Sequence, residues 1–509
     1  MKKHILCTAF FLTVLLSALA FFYSTFFFVT FSLDRYIIQA MKDWHVPGLA
    51  IAIVQDNKII HIQGYGVLKE GEKNPVDEHT IFAIGSCTKE FTAAGLGILI
   101  DDGLLTWQTK AHTYLPQLQL PNECMTQELD VLDMLSHRSG LEEVGMLWDH
   151  TSLSRQELMQ RIRFLKALVG FRQGWVYNNL MYLAAGELTS AVAGTSWDDF
   201  IAQRIFEPLH MQRSSTTIKA LVNETNVAAP HYFYRSELHS VAYHNIDSIS
   251  PAGGINSTIT DMAQWLKTVV NKGVCDGVRL LKEDTMNELY SAESIVKKTY
   301  PFQLYGLGLG MFDYHGMEVV FHEGNIDGMS AAIACLPHKK FGIVILSNVH
   351  RCGITKVLMN TIIDRCMGIK NSVDWNAKFL AEEQERQTRF FAQEQKNEQT
   401  RLRGTQPTYL AADVSALSHY LGTYHSDLYG DVIISQKNEV LWCQFLAFSG
   451  ELVHWEKDTF AFDPSAQNPL LPAKFYCTFT TNKEDKKSSL LIKYVDVWGN
   501  DMDAEFVRK

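Results

Sequence analysis

Residues 82–92 read FAIGSCTKEFT and place a serine and a lysine three positions apart at the start of a predicted helix. The helix is expected from about Ser86 to Ile100, and Asp101-Asp102-Gly103 ends it. Side chains three positions apart share one face of a helix, so the Lys89 amine can reach the Ser86 hydroxyl. The pattern predicts a serine nucleophile whose general base is a lysine with a pKa lowered by burial and nearby positive potential.

The serine–lysine spacing is weak evidence by itself. Ser294 and Lys297 repeat it in a polar segment without supporting context. A serine followed by a lysine is also an ordinary way to begin a helix, with the hydroxyl as its N-terminal cap. The prediction for Ser86 therefore depends on other motifs along the chain.

A second motif is Tyr177-Asn178-Asn179, which precedes a helix expected from Leu180 to Val192 and is expected to lie in a loop. A tyrosine can relay a proton, and an asparagine can both donate and accept hydrogen bonds. Tyr177 is therefore predicted to act in catalysis and Asn179 to bind substrate. Tyr243-His244-Asn245 has the same form and is expected to be a surface turn.

The third motif is His322-Glu323-Gly324, followed by Asn325 and a strand from Met329. Glycine lets a substrate approach a strand edge closely. The backbone N–H of Asn325 can join that of Ser86 as an oxyanion hole. His322, Gly324 and Asn325 are thus predicted to bind substrate, although His322 taken alone is better explained as a structural or surface histidine.

The surrounding pattern is strands, then helices, then strands, which predicts an α+β fold. An antiparallel sheet is expected to begin at a hairpin whose turn is Asp56-Asn57-Lys58. The helix expected at 261–270 has Thr260 or Asp261 as its N-terminal cap. The expected strands are 51–55, 59–66, 329–336 and 342–348, and the further helices are 197–206 and 261–270.

The C-terminal part of the sequence has a different pattern of polar and apolar residues. A polar, charge-rich helical segment from Ala377 to Arg403 shows no persistent heptad, which favours a solvated connecting helix over a partner-binding coiled coil. From Leu417 onward, short alternating strands predict a small antiparallel barrel or sandwich. The expected domains are a signal or anchor in 1–33, a hydrolase domain in 34–372, a helical linker in 373–410 and a β domain in 411–509.

The N-terminus predicts contact with a membrane. Lys2 and Lys3 precede an uncharged stretch from Ile5 to Leu33, and the apolar run continues past the signal-peptidase-like Ala18-Leu19-Ala20. A retained anchor is favoured over a cleaved signal, because about 20 apolar residues can span a bilayer. The two lysines would stay cytoplasmic, so the catalytic domain is expected outside the cytoplasm, on the periplasmic side, or secreted if the signal is cleaved.

Charge and cysteine content exclude other classes. A formal net charge of −10 without a basic cluster argues against nucleic-acid binding. The nine cysteines form no CxxC pair and no zinc-ligand spacing, so neither a structural metal nor a particular disulfide is predicted. Cys87 is expected to be a small buried residue. No cofactor is expected, the partner is a small-molecule or peptide substrate, and homo-oligomerisation is left open.

Taken together, the three motifs resemble the signature of class C β-lactamases, DD-carboxypeptidases and related esterases and D-aminopeptidases. The resemblance covers residues 34 to 370, and Tyr420-Leu-Gly-Thr-Tyr424 is similar to a lipocalin-like barrel found in some family peptidases. It implies a β-lactamase/transpeptidase-like fold, with an antiparallel sheet flanked by helices. The connecting phrases that carry it are FAIGSCTKEFT at 82–92, MLSHRSGL at 134–141, IFEPLHM at 205–211 and PAGGINST at 251–258.

What the resemblance implies is an acyl-enzyme route, in which Ser86 attacks an amide, ester or lactam carbonyl and Lys89 takes its proton. Tyr177 assists proton delivery and Asn179 orients the acyl group. The chain departs from the β-lactamases at His322, where they usually carry a lysine, and a histidine of ordinary pKa is mostly neutral at pH 7. A peptidase, amidase or esterase is therefore favoured. The alternatives are a non-catalytic penicillin-binding or peptidoglycan-sensing module and a true class C-like β-lactamase; no cluster such as HExxH supports a metal-dependent hydrolase.

Overall fold

The computed structural model describes residues 33–149, 151–234, 237–326, 328–370, 373–402, 414–463, 474–481, 488–495 and 501–509. Its first fourteen strands lie before residue 350 and are numbered in chain order. They are β1 Gly48–Gln55, β2 Lys58–Gly66, β3 Ile81–Ala83, β4 His231–Tyr234, β5 Glu237–Ser240, β6 Asn256–Thr258, β7 Val274–Cys275, β8 Val278–Arg279, β9 Ser294–Lys297, β10 Gln303–Tyr305, β11 Gly310–Tyr314, β12 Met317–Ile326, β13 Met329–Leu336 and β14 Phe341–Ser347.

Twelve α-helices are described in these ranges, and a 3₁₀ turn over Gly85–Cys87 leads into the second of them. The helices are α1 33–43, α2 Thr88–Asp101, α3 Glu123–Glu128, α4 Val131–Leu135, α5 Arg155–Arg161, α6 Asn179–Ala193, α7 Trp197–Ile201, α8 Ser250–Gly253, α9 Ile259–Val270, α10 Glu283–Leu289, α11 Ile354–Cys366 and α12 Trp375–Leu402.

Eight strands form one antiparallel sheet in the order β2-β1-β14-β13-β12-β11-β10-β9. Both faces of its centre are covered. In β1, Ala50, Ala52 and Val54 pack with α9 in one apolar cluster, whereas the alternating Leu49, Ile51 and Ile53 pack with α1 and α11 in another. Because successive strand residues point to opposite faces, this near-continuous apolar run is what a strand buried on both sides requires. The predicted α+β fold is confirmed.

Three local predictions need correction. The cap of α9 is Thr258, whose hydroxyl accepts from the backbone N–H of Asp261, and not Thr260 or Asp261 themselves. The helix predicted through Phe206 leaves α geometry after Ile201 and continues as a π-helix. Asn179 does not lie in a loop, because it is the first residue of α6. Asn178 caps that helix by accepting from the N–H of Met181 at 2.9 Å.

The C-terminal domain is a nearly closed barrel of nine antiparallel strands in the order β18-β17-β16-β15-β23-β22-β21-β20-β19. Its interior is filled by aromatic side chains, among them Phe445, Phe475 and Phe506. The strands are β15 Gly422–Ser426, β16 Gly430–Lys437, β17 Val440–Phe445, β18 Phe448–Glu451, β19 Val453–Glu456, β20 Thr459–Phe462, β21 Phe475–Thr481, β22 Ser488–Val495 and β23 Asp501–Arg508.

The predicted membrane segment falls on residues 1–33, nearly all of which lie outside the described residues. Within the described ranges, no helix is both long enough and apolar enough to cross a membrane. The charge-rich segment predicted as a connecting helix is α12, and its start packs through Trp375, Phe379 and Leu380 against the cluster beneath α11.

Candidate active site

A cleft of about 980 Å³ opens at the N-terminal end of α2. Lys89 lies beneath its floor and is fully buried. The predicted site residues are thus brought together from three distant parts of the chain. Those that line the cleft are Ser86, Tyr177, Asn179, His322 and Asn325.

The Ser86 hydroxyl lies between two groups that can handle its proton. Lys89 Nζ is 3.1 Å from Ser86 Oγ, and the Tyr177 hydroxyl donates to the same oxygen at 2.8 Å. The Lys89 contact follows from local helix geometry, because the 3₁₀ turn of Gly85–Cys87 runs directly into α2. The Tyr177 contact joins residues 91 positions apart and depends on how α6 packs.

Lys89 is held by two further acceptors. Its Nζ donates to Asn179 Oδ1 at 2.7 Å and to the carbonyl oxygen of Ala252 at 2.7 Å. Burial, which penalises the ammonium form, lowers the pKa of Lys89 to about 7, and the neighbouring Glu143 opposes that change. A substantial fraction of this lysine is therefore neutral near pH 7. Burial is the cause, as predicted, whereas the neighbouring charge is negative and not the positive potential that the sequence analysis also expected.

Asn179 connects this lysine to the partly buried carboxylate of Glu143. Its Nδ2 donates to Glu143 Oε1 at 3.1 Å, and its backbone N–H donates to Glu143 Oε2 at 2.6 Å. Burial raises the pKa of Glu143. Both ends of the Asn179 amide are thus engaged by protein groups, so the amide is oriented before any substrate arrives.

His322 is buried and neutral. Its Nδ1 donates to the carbonyl oxygen of Glu323 at 2.7 Å, which leaves Nε2 to accept from the Tyr305 hydroxyl at 2.9 Å. Burial and the positive charge of Lys89 lower the pKa of His322 to about 3. The expected neutrality at pH 7 therefore holds, but the ordinary pKa assumed from the sequence was wrong. The Glu323 carboxylate lies 3.5 Å from Lys356 Nζ.

Gly324 allows β12 to approach the turn that carries Ser86. A Cβ added at Gly324 would lie 1.9 Å from the Ile84 carbonyl oxygen and 3.1 Å from Ser86 N. A Cβ at Gly85, where φ is +51°, would lie 2.8 Å from Asn325 N. Any larger residue at either position would push the two segments apart. The glycines therefore allow close packing of the two segments that carry the backbone nitrogens of Ser86 and Asn325.

The strand beside this turn has an open edge. Within the described residues, the pairing of β11 with β12 ends at Phe321, whereas β13 continues to pair with β12 through Ile326. Residues 322–326 are therefore paired on one side only. An extended substrate backbone could add to this edge as an extra strand.

The two repeats of the motifs are structural. Ser294 is buried and its hydroxyl donates to the Ser136 carbonyl oxygen at 2.9 Å, while Lys297 is exposed on β9. Tyr243 is not part of a simple surface turn, because its hydroxyl donates to the carbonyl oxygen of Ala228 at 3.0 Å beneath the cleft. Neither repeat takes part in the arrangement around Ser86.

Sequence reasoning missed four groups around the site: Glu143, Tyr305, His137 and the carbonyl of Ala252. The last two lie inside the segments that carried the family resemblance, at 134–141 and 251–258. The sequence therefore marked these segments but did not indicate what His137 or Ala252 does. Glu143 follows the first phrase by two residues, and nothing in its local pattern distinguishes it from a surface glutamate. Cys87 is buried, as predicted.

His137 clamps the segment that carries Tyr177. Its backbone carbonyl accepts from Val176 N at 2.9 Å, its Nδ1 accepts from Asn178 N at 3.1 Å, and its ring centroid lies 4.4 Å from that of Tyr177. Burial holds the pKa of His137 well below its usual value, so Nδ1 stays an acceptor. The residue has φ of +58°, a conformation that asparagine tolerates better than alanine.

We expect His137→Ala to lower kcat on the order of 100-fold with little change in KM, because misplacing a catalytic group by about 1 Å has effects of this size. His137→Asn should lose less, since asparagine accepts φ above zero and keeps an acceptor near Asn178. Steady-state kinetics with thermal unfolding checks this. His210→Ala is the matched control, because His210 has φ of +56° on an exposed turn, and an equal kcat loss there would reject the positioning role.

Among the described residues, no group of three or more His, Cys, Asp or Glu side chains could hold a metal ion. The cleft brings together the Ser86 hydroxyl, a lysine that is partly neutral and the closely packed backbone of Gly85 and Asn325. Together with the antiparallel sheet and its flanking helices, this defines a serine–lysine site in a β-lactamase/transpeptidase-like fold.

The chain belongs to the β-lactamase family, since the family model described as Beta-lactamase matches residues 33–351. A second model, described as a domain of unknown function (DUF3471), matches residues 410–507.

Curated relatives are distant. The unguisins hydrolase ungD of Aspergillus violaceofuscus is 28% identical over 379 residues, covering 68% of this chain and 66% of that protein. The unguisins hydrolase ungD' of Aspergillus campestris is 27% identical over 415 residues, covering 78% and 76%. Protein flp of Staphylococcus aureus is 23% identical over 340 residues, covering 65% and 66%. The chain thus spans just under two thirds of the first and third relatives.

A solved structure extends the likeness to both domains. The octameric penicillin-binding protein homologue from Pyrococcus abyssi has a TM-score of 0.61 and 19% sequence identity, and the match covers 94% of this chain and 100% of that one. At this identity the likeness bears on the fold alone.

Proposed function

We propose that the protein is a serine hydrolase that cleaves an amide or ester through an acyl-enzyme at Ser86. The observation that carries the proposal is the position of Ser86 Oγ, 3.1 Å from a lysine whose pKa is about 7 and 2.8 Å from a tyrosine hydroxyl. A nucleophile activated by an adjacent base, which is itself oriented by a third group, is the arrangement that covalent catalysis needs.

The hydrogen bonds define how the base works. When Lys89 is neutral, its two N–H bonds can donate to Asn179 Oδ1 and the Ala252 carbonyl, and both contacts measure 2.7 Å. The lone pair is then free to face Ser86 Oγ. In the first step the serine oxygen bonds to the substrate carbonyl carbon while Lys89 takes the hydroxyl proton.

Collapse of the tetrahedral species breaks the bond to the leaving nitrogen or oxygen, which receives a proton from Lys89 through Tyr177. Burial raises the pKa of Tyr177 far above neutrality, so its hydroxyl remains a proton donor. Water then repeats the sequence on the acyl-enzyme and restores the Ser86 hydroxyl. The backbone N–H groups of Ser86 and Asn325 stabilise the oxyanion, and losing one such donor typically costs about 100- to 1,000-fold in rate.

The neutral His322 bears on the choice of substrate. A β-lactamase usually places a permanent cation where this chain has a histidine whose pKa is about 3, so a substrate carboxylate finds no charge on that side chain. This supports a peptidase, amidase or esterase over efficient penicillin turnover. The hydrolase names of the Aspergillus relatives agree with such an activity, and the octameric Pyrococcus protein is consistent with homo-oligomers of this chain.

Mass spectrometry after brief exposure to a fluorophosphonate, and separately to a penicillin, tests the proposal. We expect a phosphonyl adduct on Ser86 and only slow or transient penicilloylation, with Ser86→Ala unlabelled. A lasting penicilloyl adduct without ester or amide turnover would instead favour a penicillin-binding module. Absence of both adducts would reject the activated serine.

A further inference from the structure

The cleft does not end within the catalytic domain. Its lining also includes Tyr429, Phe448, Tyr494 and Asp503 of the C-terminal barrel. The catalytic domain faces them with apolar side chains. These are Met146, Trp148, Ile246 and Ile249.

The barrel wall is held in place by direct contacts. Arg161 Nη1, at the end of α5, donates to the carbonyl oxygen of Leu428 at 2.6 Å, one residue before Tyr429. Burial, and then the charge of Glu142 across the cleft, raise the pKa of the Tyr429 hydroxyl, which is therefore neutral. The two domains thus meet at the residues that line the cleft.

The aromatic wall is also rigid. Tyr429, Phe448 and Tyr494 are only 6%, 2% and 5% exposed, and the ring centroids of the last two lie 5.6 and 5.1 Å from that of Phe475 in the barrel core. Side chains packed in this way lose little further freedom when a ligand docks against them. Aromatic rings also prefer offset or edge contacts with other rings, which adds selectivity to burial.

Charged side chains also line the cleft, among them Glu142, Asp149, Lys166 and Arg351. Asp503 lies 3.3 Å from Lys493, and Glu323 lies 3.5 Å from Lys356, so both acidic side chains have a basic neighbour. The barrel wall itself consists mainly of the aromatic rings of Tyr429, Phe448 and Tyr494, and an apolar surface selects ligands by shape and apolar area.

We propose that the barrel wall formed by Tyr429, Phe448 and Tyr494 is a specificity subsite that binds a bulky aromatic group of the substrate. This inference rests on the proposed function for the chemistry at Ser86, because the aromatic group is carried by the same molecule whose carbonyl meets the serine. The C-terminal domain is then part of the binding site, and the catalytic domain alone would have an incomplete cleft.

Calorimetric titration of the full-length Ser86→Ala variant with two stable amides tests the subsite. The amides are acetanilide and 4-phenylbutyranilide, which share the reacting group and differ by an aromatic extension. We expect the larger amide to bind at least about tenfold more tightly, since each buried CH₂ contributes about 0.8 kcal/mol and about 1.4 kcal/mol is a factor of ten.

Adding Phe448→Leu should reduce that affinity ratio about fivefold, because leucine removes the ring that contacts the aromatic extension. Phe460→Leu is the matched control. Phe460 is another buried barrel aromatic, packed on Tyr420 and Phe479, and it does not line the cleft. If Phe448→Leu loses its cooperative thermal transition, Arg161→Gln loosens the contact at Leu428 without changing the barrel core and should lower the same ratio.

Equal binding of the two amides, or an equal effect of Phe448→Leu and Phe460→Leu, would overturn the subsite. Failure of the reaction is separately visible. If Ser86 is labelled and active but the protein shows no preference for the aromatic amide, only the proposed subsite is wrong. If the protein prefers the aromatic amide but Ser86 takes no label, only the proposed reaction is wrong.

Discussion

Replacing Ser86 by alanine should lower kcat/KM for ester hydrolysis on the order of 10⁶-fold, while the protein stays folded. The variant removes the oxygen that both the Lys89 amine and the Tyr177 hydroxyl contact, at 3.1 and 2.8 Å. Without it no acyl-enzyme can form, and only binding and the backbone donors remain. Hydrolysis of 4-nitrophenyl acetate, followed by absorbance, measures the loss.

The chain supplies a matched control for that variant. Ser294 repeats the motif with Lys297, but its hydroxyl bonds to the Ser136 carbonyl, and Ser294 does not line the cleft. Ser294→Ala should keep its hydrolytic rate, and circular dichroism and thermal unfolding should be cooperative in both variants. Retained hydrolysis in a folded Ser86→Ala protein would contradict the assignment of the nucleophile.

Lys89→Met should lower kcat about 100- to 10,000-fold, the range that a positioned general base contributes. Methionine fills most of the lysine volume but cannot take a proton. Lys89→Arg discriminates between two roles, because a guanidinium keeps the positive charge and does not deprotonate in proteins. Loss of activity in both variants supports a base, whereas activity in Lys89→Arg would indicate that only the charge matters.

Lys267→Met is the corresponding control for removing a buried lysine. Lys267 is 6% exposed, lies on α9 and pairs with Asp276, away from the cleft. We expect this variant to change stability without changing kcat. Should both lysine variants lose activity in proportion to their stability, general destabilisation would replace the catalytic explanation.

The pH dependence follows from the same lysine. Burial lowers the pKa of Lys89 to about 7, and the neutral amine is the active form, so kcat/KM should rise with pH through about 7 and level off above it. His322, with a pKa of about 3, and Tyr177, whose pKa is raised by burial, do not titrate in this window. Glu143→Gln should move the rise to lower pH, because the glutamate charge raises the pKa of Lys89.

A rate profile between pH 5 and 9 in the wild type and in Glu143→Gln measures both effects. A profile that is flat across pH 7 would contradict the hypothesis that deprotonation of Lys89 activates the enzyme. A rise that stays at the same pH in Glu143→Gln would remove the electrostatic link between the two residues.

Much of the local architecture could be predicted. The apolar alternation of 51–55 and 59–66 identified the first hairpin, and the turn residues at 56–58 lie where the structure has its reversal. The Ser86 to Lys89 contact was also predictable, because the geometry of a helix alone determines it. Capping residues were less predictable, since Thr258 and Thr260 are equally suitable by type and the end of β6 decides between them.

The sequence by itself therefore determined the fold class, the order of the motifs and the pairing of the serine with its lysine, because these depend on periodicity and on contacts within one helical turn. Only the tertiary structure decided the pKa of Lys89, the tautomer of His322 and the contact of Tyr177 with Ser86. Desolvation and hydrogen bonds between distant segments, such as the Ala252 carbonyl that meets Lys89 from 163 positions away, exist only after packing. The position of the barrel aromatics at the cleft was also decided only by the tertiary structure. The strand pattern of the C-terminal segment predicted a barrel, but it carried no information about which surface of the catalytic domain the barrel would contact.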